Sequence, residues 1–213
     1  MGSWKNQYID LIATKPDLII EETDLRPDDL CPSLEKFARC FVELGSGSGG
    51  HLIELATRNP DTLCVGFELR YKRAFRTAEK AEKLGLKNLL VYRANASHLE
   101  HLFPERSLDR VYVNYPDPWA KKRWLKHRLL NENSVSLLTK LLKKGGALRY
   151  KTDHKDYFDD VVRSLRSNAT FRITQETHDM FGNCDVSENI TTEFEQLFIS
   201  QGLPISFVEA VLS

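Results

Sequence analysis

From Phe41 onward, short apolar runs alternate with amphipathic stretches, and this alternation limits the fold more than any other feature of the chain. The runs Cys40–Leu44, Leu63–Phe67, Asn88–Tyr92, Arg110–Asn114, Ala147–Lys151, Phe171–Thr174 and Ile205–Ala210 are mostly short and rich in Val, Leu, Phe or Tyr. That is the composition of strands buried on both faces of a parallel sheet. Helical periodicity fills the intervals at 50–58, 71–84, 132–143 and 155–167. In the second of these, Ala74, Ala78, Ala81 and Leu84 share one face, and Arg and Lys fill the others. Such alternation predicts right-handed βαβ units and a doubly wound, mostly parallel, seven-stranded α/β sheet with helices on both faces. Ligands of these sheets bind beyond the carboxyl ends of the strands, so the residues just after each strand are the ones to read for chemistry.

The 213 residues suit one domain whose core needs no disulfide or metal staple. A single domain over 1–213 is expected. Its N-terminal segment, 1–35, is polar and acidic, contains Pro16 and Pro27, and reads as loose chain plus a short helix. The working core follows over 36–213. No apolar run reaches the length of a membrane span, and the N-terminus lacks a basic region followed by an apolar stretch. Met1-Gly2 is not a myristoylation signal, because Asn6 stands where Ser or Thr is needed. Cys31, Cys40, Cys64 and Cys184 form no CxxC pair, which points to free thiols in a reduced, cytoplasmic compartment and to no metal site.

The formal net charge of zero hides a strong asymmetry. Residues 70–151 carry 20 Lys and Arg against 7 Asp and Glu, so the rest of the chain carries 10 against 23. A neutral protein with one cationic region can present a face that attracts phosphates.

Three motifs stand at predicted strand ends. The first strand runs into Glu43-Leu44-Gly45-Ser46-Gly47-Ser48-Gly49-Gly50. Glycines let the backbone turn sharply and approach a ligand, and the helix that follows presents free N–H groups. Gly45, Gly47 and Gly50 satisfy GxGxxG, so a nicotinamide dinucleotide and an oxidoreductase form the competing reading. Glu43, two residues before Gly45, would repel a pyrophosphate but suits S-adenosyl-L-methionine, a sulfonium with a cationic amino-acid tail. The second strand ends at Glu68, where a carboxylate can accept both ribose hydroxyls of either cofactor. After the third strand, Asn95-Ala96 offers an amide to an adenine edge or a cap to the next helix.

The fourth strand ends in Asn114-Tyr115-Pro116-Asp117-Pro118-Trp119. Two prolines stiffen this turn and remove two N–H donors. Tyr115 and Trp119 offer flat faces for a base, and Asp117 a carboxylate. In the next nine residues, Ala120–Arg128, six side chains can be cationic. A basic run beside a Pro-framed carboxylate suits a nucleic acid whose phosphates are gripped while one base enters a pocket. Lys122, Arg123, Lys126 and Arg128 are the phosphate-binding candidates. A non-catalytic RNA-binding protein of the same fold is a third reading, against which Glu43, Glu68 and Asp117 count.

These motifs, with GFEL, RANA, Lys151-Thr152-Asp153 and Thr192-Glu193-Phe194-Glu195, resemble the bacterial tRNA (guanine-N7)-methyltransferase family over about residues 40–210. NYPDPWAKKR is the most specific of them. The resemblance implies a Rossmann-like class I methyltransferase that acts on a guanosine in the tRNA variable loop, with no obligate protein partner, as a monomer or homodimer. It implies cofactor contacts at Glu43, Glu68, Asn95 and Asp117, with Gly45, Gly47 and Ala96 lining the same site. It implies substrate contacts at Lys121, Asp153, Thr192, Glu193, Phe194 and Glu195. Asp117 is the catalytic candidate, either stabilising the positive charge that develops on the purine or hydrogen-bonding the guanine N1–H and N2 amino group. Ala120 stands where the family usually has proline, Trp124 where it has His, and Asn95 where Asp is common.

Overall fold

The computed structural model describes residues 6–26 and 30–213. Met1, Gly2 and Pro27 lie outside the described residues, as does the side chain of Cys31. Asn6 accepts from the Tyr8 N–H (3.1 Å) and so starts α1 (Gln7–Ile12). Strand β1 (Ile19–Glu21), a 3-10 turn at Glu22–Asp24 and α2 (Cys31–Leu34) complete the N-terminal region. Then come β2 (Arg39–Leu44), α3 (Gly50–Arg58), β3 (Thr62–Phe67), α4 (Tyr71–Lys83) and β4 (Leu89–Arg93). After a 3-10 turn (Ala96–His98), α5 (Leu99–Leu102) leads to β5 (Leu108–Asn114), a further 3-10 turn (Lys122–His127), α6 (Glu132–Leu141) and β6 (Leu142–Thr152). The chain ends with α7 (Lys155–Ser167), β7 (Phe171–Thr177), α8 (Met180–Asn183), α9 (Glu193–Ser200) and β8 (Ser206–Leu212).

The strands form one sheet in the order β1-β4-β3-β2-β5-β6-β8-β7. Only β8 runs against its neighbours, β6 and β7, so the sheet is mostly parallel and doubly wound. Among the described residues it has eight strands rather than seven. The addition is β1, which pairs Ile19 with Val91 and Glu21 with Arg93 at one edge. This also corrects the expectation of loose chain before residue 35. At three residues, β1 is too short for any hydrophobic period to register.

Period-two alternation sends each strand's side chains to two cores. On one face, Val42, Val65, Val111 and Leu148 join Leu138 of α6 and Phe158, Val161 and Leu165 of α7. On the other, Phe41, Cys64 and Tyr112 meet Leu52 and Leu55 of α3 and Ala74, Ala78 and Ala81 of α4. The alanines of α4 let that helix lie close to the sheet, as its pattern predicts. Leu84 does not share their face: it is the C-cap residue and 61 % exposed.

The chain leaves β2 toward β3 on one side and β5 toward β6 on the other, while β2 and β5 are adjacent. This reversal opens a crevice above their carboxyl ends. Glu43, Asn114 and the glycine loop border it. Among the described residues, no helix is long and apolar enough to cross a membrane, and no group of His, Cys, Asp and Glu is arranged to hold a metal ion.

Candidate active site

The glycine loop is folded over the end of β3 by two N–H groups, those of Gly45 and Ser46, which both donate to the Phe67 carbonyl (2.9 Å each). Gly49 has a left-handed backbone (φ +77°), and a Cβ there would lie 2.4 Å from Thr77 Cγ2 of α4. Helix α4 therefore sits against the loop itself. Lys80 Nζ donates to the Ser48 carbonyl (2.9 Å) and holds the two together.

Two buried carboxylates flank the loop. Glu43, at the end of β2, is only 2 % exposed. Its Oε1 accepts from Asn114 Nδ2 (2.8 Å) and lies 3.2 Å from His51 Nδ1, while Oε2 has no hydrogen-bond partner. Asn114 Oδ1 is likewise buried without a partner. An unsatisfied carboxylate oxygen beside an unsatisfied amide oxygen suits a cationic donor and opposes a phosphate. Glu68, also buried, accepts from the N–H groups of Gly47 (3.0 Å) and Arg70 (2.8 Å). A carboxylate has about four acceptor positions, so these two bonds fix its orientation and leave capacity for a pair of hydroxyls. Asn95 is exposed and its Oδ1 accepts from the Ser97 N–H (2.9 Å). That bond caps the 3-10 turn, and Ala96 is the first residue of the turn.

The segment after β5 carries backbone strain. Tyr115 (φ +50°) and Trp119 (φ +43°) are both left-handed, a state that costs an aromatic residue about 1–3 kcal/mol and gathers at functional sites. Their positive φ values bracket Pro116, Asp117 and Pro118. Asp117 is exposed at the tip of this bracket, and so is Asp153 beyond β6. The Tyr115 ring packs 4.7 Å from that of Phe194. Burial, with the charges of Glu195 and Asp153 nearby, pushes the Tyr115 hydroxyl well above the usual phenol range, so it stays neutral.

Thr192 and Glu195 hold α9 in place. Thr192 Oγ1 accepts from the Glu195 N–H (3.1 Å), and Glu195 Oε2 from the Thr192 N–H (2.6 Å). Glu195 Oε1 forms a buried ion pair with Lys151 Nζ. Burial holds the Lys151 amine below its ordinary value, with Glu195 opposing that shift. Of the four residues of the Thr192–Glu195 segment expected to touch substrate, these two are engaged in a capping box and an ion pair, while Glu193 and Phe194 are exposed, Phe194 against Tyr115.

The basic run divides in the same way. Lys121, Lys122, Arg123 and Lys126 are exposed. Lys121 Nζ and the Arg123 guanidinium lie 4.9 and 5.0 Å from the centre of the Trp124 ring, which meets Trp119 edge-on (5.9 Å). Arg128 departs from its expected role. It is only 7 % exposed. Its Nε donates to the Pro118 carbonyl (2.8 Å), its Nη1 contacts Asp160 (2.7 Å), and its guanidinium lies over Tyr157. An arginine so engaged ties the Pro-rich turn to α7 and has no fork free for a phosphate. Asn114 and His51 both lie against Glu43, and the sequence reading singled out neither. Asn114 was visible as the first residue of the Pro-rich motif, whereas His51 carried no signal of its own.

Residues 38–208 match a protein family described as "Putative methyltransferase". The chain is 34 % identical over 167 residues to the tRNA (guanine-N(7)-)-methyltransferase of Bdellovibrio bacteriovorus, covering 78 % of this chain and 79 % of that protein. It is 33 % identical over 197 residues to a bifunctional glycosyltransferase/methyltransferase of Fusobacterium nucleatum, of which it spans 30 % of the length and which covers 91 % of this chain. Among solved structures, the 16S rRNA methyltransferase KamB superposes with a TM-score of 0.65 at 14 % identity, covering 92 % of this chain and 99 % of that one, a likeness of fold.

Proposed function

The chain belongs to the tRNA (guanine-N7)-methyltransferase family, and on that premise we propose that it methylates N7 of a guanosine in the variable loop of tRNA, using S-adenosyl-L-methionine. The observation that carries this reading is the juxtaposition at one crevice of the unsatisfied Glu43 and Asn114 oxygens with the exposed, Pro-framed Asp117 and its basic flank. The first pair suits the cofactor's ammonium and the second suits a base held beside phosphates.

When bound, the cofactor would supply a sulfonium-activated methyl group, its sulfur keeping the electron pair of the broken S–CH3 bond, and guanine N7, with its in-plane lone pair and no proton, would accept that methyl without a general base. The protein's task is then alignment, a large source of rate in its own right. Glu43 and Asn114 hold the amino-acid tail, Glu68 the ribose hydroxyls, and Asn95 with Ala96 the adenine edge. Asp117 faces the base, either countering the positive charge that methylation leaves on the purine or accepting from its N1–H and N2 amino group. Asp153, Glu193 and Phe194 line the approach, with the Phe194 ring packed at a tilt against Tyr115. Lys121, Lys122, Arg123 and Lys126 grip phosphates. The names of the relatives support tRNA as the partner, and a tRNA substrate fits a cytoplasmic place of action.

Transfer of labelled methyl from S-adenosyl-L-methionine to unmodified tRNA, followed by identification of the product nucleoside, tests the proposal. 7-Methylguanosine is the expected product. Label in any other nucleoside, or none, would overturn it.

A further inference from the structure

His51 is the second residue of α3 and only 5 % exposed, with its ring 5.0 Å from that of Tyr112. An apolar side chain at this place would bring no buried polar atom of its own. The imidazole instead keeps Nδ1 buried without a hydrogen-bond partner: it lies 3.2 Å from Glu43 Oε1 but is not aligned for a bond. A buried polar atom left without a partner loses the hydrogen bonds it made to water and gains none in return. Two more such atoms belong to groups that meet at Glu43 Oε1, namely Glu43 Oε2 and Asn114 Oδ1.

All three atoms can be acceptors. A carboxylate oxygen and an amide oxygen always are, and so is Nδ1 in a neutral imidazole whose proton is on Nε2. An ammonium has three N–H donors and no acceptor. We infer that His51 is a cofactor-binding residue, and that its Nδ1, Glu43 Oε2 and Asn114 Oδ1 form a three-acceptor cradle for the ammonium of the S-adenosyl-L-methionine tail. This rests on the methyl-transfer reading above. It adds a residue that neither the glycine loop nor the Pro-rich motif contains. The cradle satisfies three buried atoms at once and sets a positive charge against the buried Glu43 carboxylate.

The rival occupant is a water molecule, for which the side chain at position 51 would matter little. Calorimetric titration with two ligands separates the readings: S-adenosyl-L-methionine, and 5′-methylthioadenosine, which keeps the nucleoside but lacks the amino-acid tail. His51→Leu removes the acceptor. It should weaken S-adenosyl-L-methionine about tenfold and leave 5′-methylthioadenosine within about twofold of wild type, one lost hydrogen bond to a charged group having that size. His51→Asn places an amide oxygen near the Nδ1 position and should retain most of the affinity. His51→Gln, whose oxygen falls near the Nε2 position, should not, and it serves if the leucine variant does not fold. Unchanged S-adenosyl-L-methionine affinity in both His51→Leu and His51→Gln would overturn the inference, as would equal weakening of both ligands, which marks a purely structural role. Wild-type protein that binds neither ligand would instead overturn the methyl-transfer reading on which the inference stands.

Discussion

Glu68 gives one carboxylate oxygen to the Gly47 N–H and the other to the Arg70 N–H, so a single side chain orients the glycine loop and the start of α4 together. Replacing it with Ala should weaken S-adenosyl-L-methionine by about tenfold or more in calorimetry, because both hydroxyl contacts and loop order are lost. Asp117 has the opposite profile. It is exposed, so Asp117→Ala should leave the melting temperature unchanged and slow methyl transfer by at least about tenfold, equivalent to about 1.4 kcal/mol of barrier. Gly49→Ala meets both a left-handed backbone and the Thr77 side chain, and should cost about 1–3 kcal/mol in denaturant unfolding. Thr77→Ala in the same chain should restore only part of this, removing the Cγ2 and Oγ1 contacts but leaving the Cβ at 2.8 Å and the backbone strain. The placement of Glu43 and Glu68 at strand ends was legible because the short apolar runs mark where each strand stops. Arg128 was not, since composition cannot show which cation of a run turns inward. The T-x-x-E spacing of Thr192 and Glu195 is itself a capping-box signature, and it marks the start of α9 as clearly as it marks a family motif.

At the scale of elements, the turn after β5 carries two functions on adjacent residues. Its exposed cations face solvent, while Arg128 fastens it to α7 through Asp160 and Tyr157. Lys122→Ala with Arg123→Ala should therefore weaken tRNA binding and flatten its salt dependence, with S-adenosyl-L-methionine affinity and stability untouched. Filter-binding titrations at three salt concentrations would detect this, and wild-type slopes would move the RNA surface elsewhere. Arg128→Ala should instead lower stability by about 1–3 kcal/mol, since the Pro118 carbonyl loses its donor. The long strands and the helices 50–58 and 155–167 were readable from period alone. Helix α6 was read two residues too long, because Leu142 and Lys143 continue its pattern while the backbone has already turned into β6 to pair Leu142 with Leu108.

For the whole molecule, burial makes pH a stability variable on the alkaline side. Desolvation raises the Cys40 thiol and pushes the Cys64 thiol up to about 12 from 9.0, and Tyr115 and Tyr150 are raised as well. Groups raised on folding stabilise fully below their unfolded values, and that stability is lost as pH climbs toward the folded ones. Unfolding free energy should thus fall from about pH 9 upward, and Cys64→Ala should make the fall shallower in urea titrations at pH 8, 9 and 10. The order of the sheet also has a temporal consequence. Strand β7 is translated before β8, yet its partner in the sheet is β8, which lies between it and β6. Until Ser206–Leu212 has been synthesised, both β6 and β7 present open edges, and the Lys151 end of the crevice lacks its neighbouring strand. A nascent chain halted before Ser206 should accordingly bind chaperones and resist no protease beyond β6, whereas release of the next few residues completes the sheet in a single insertion.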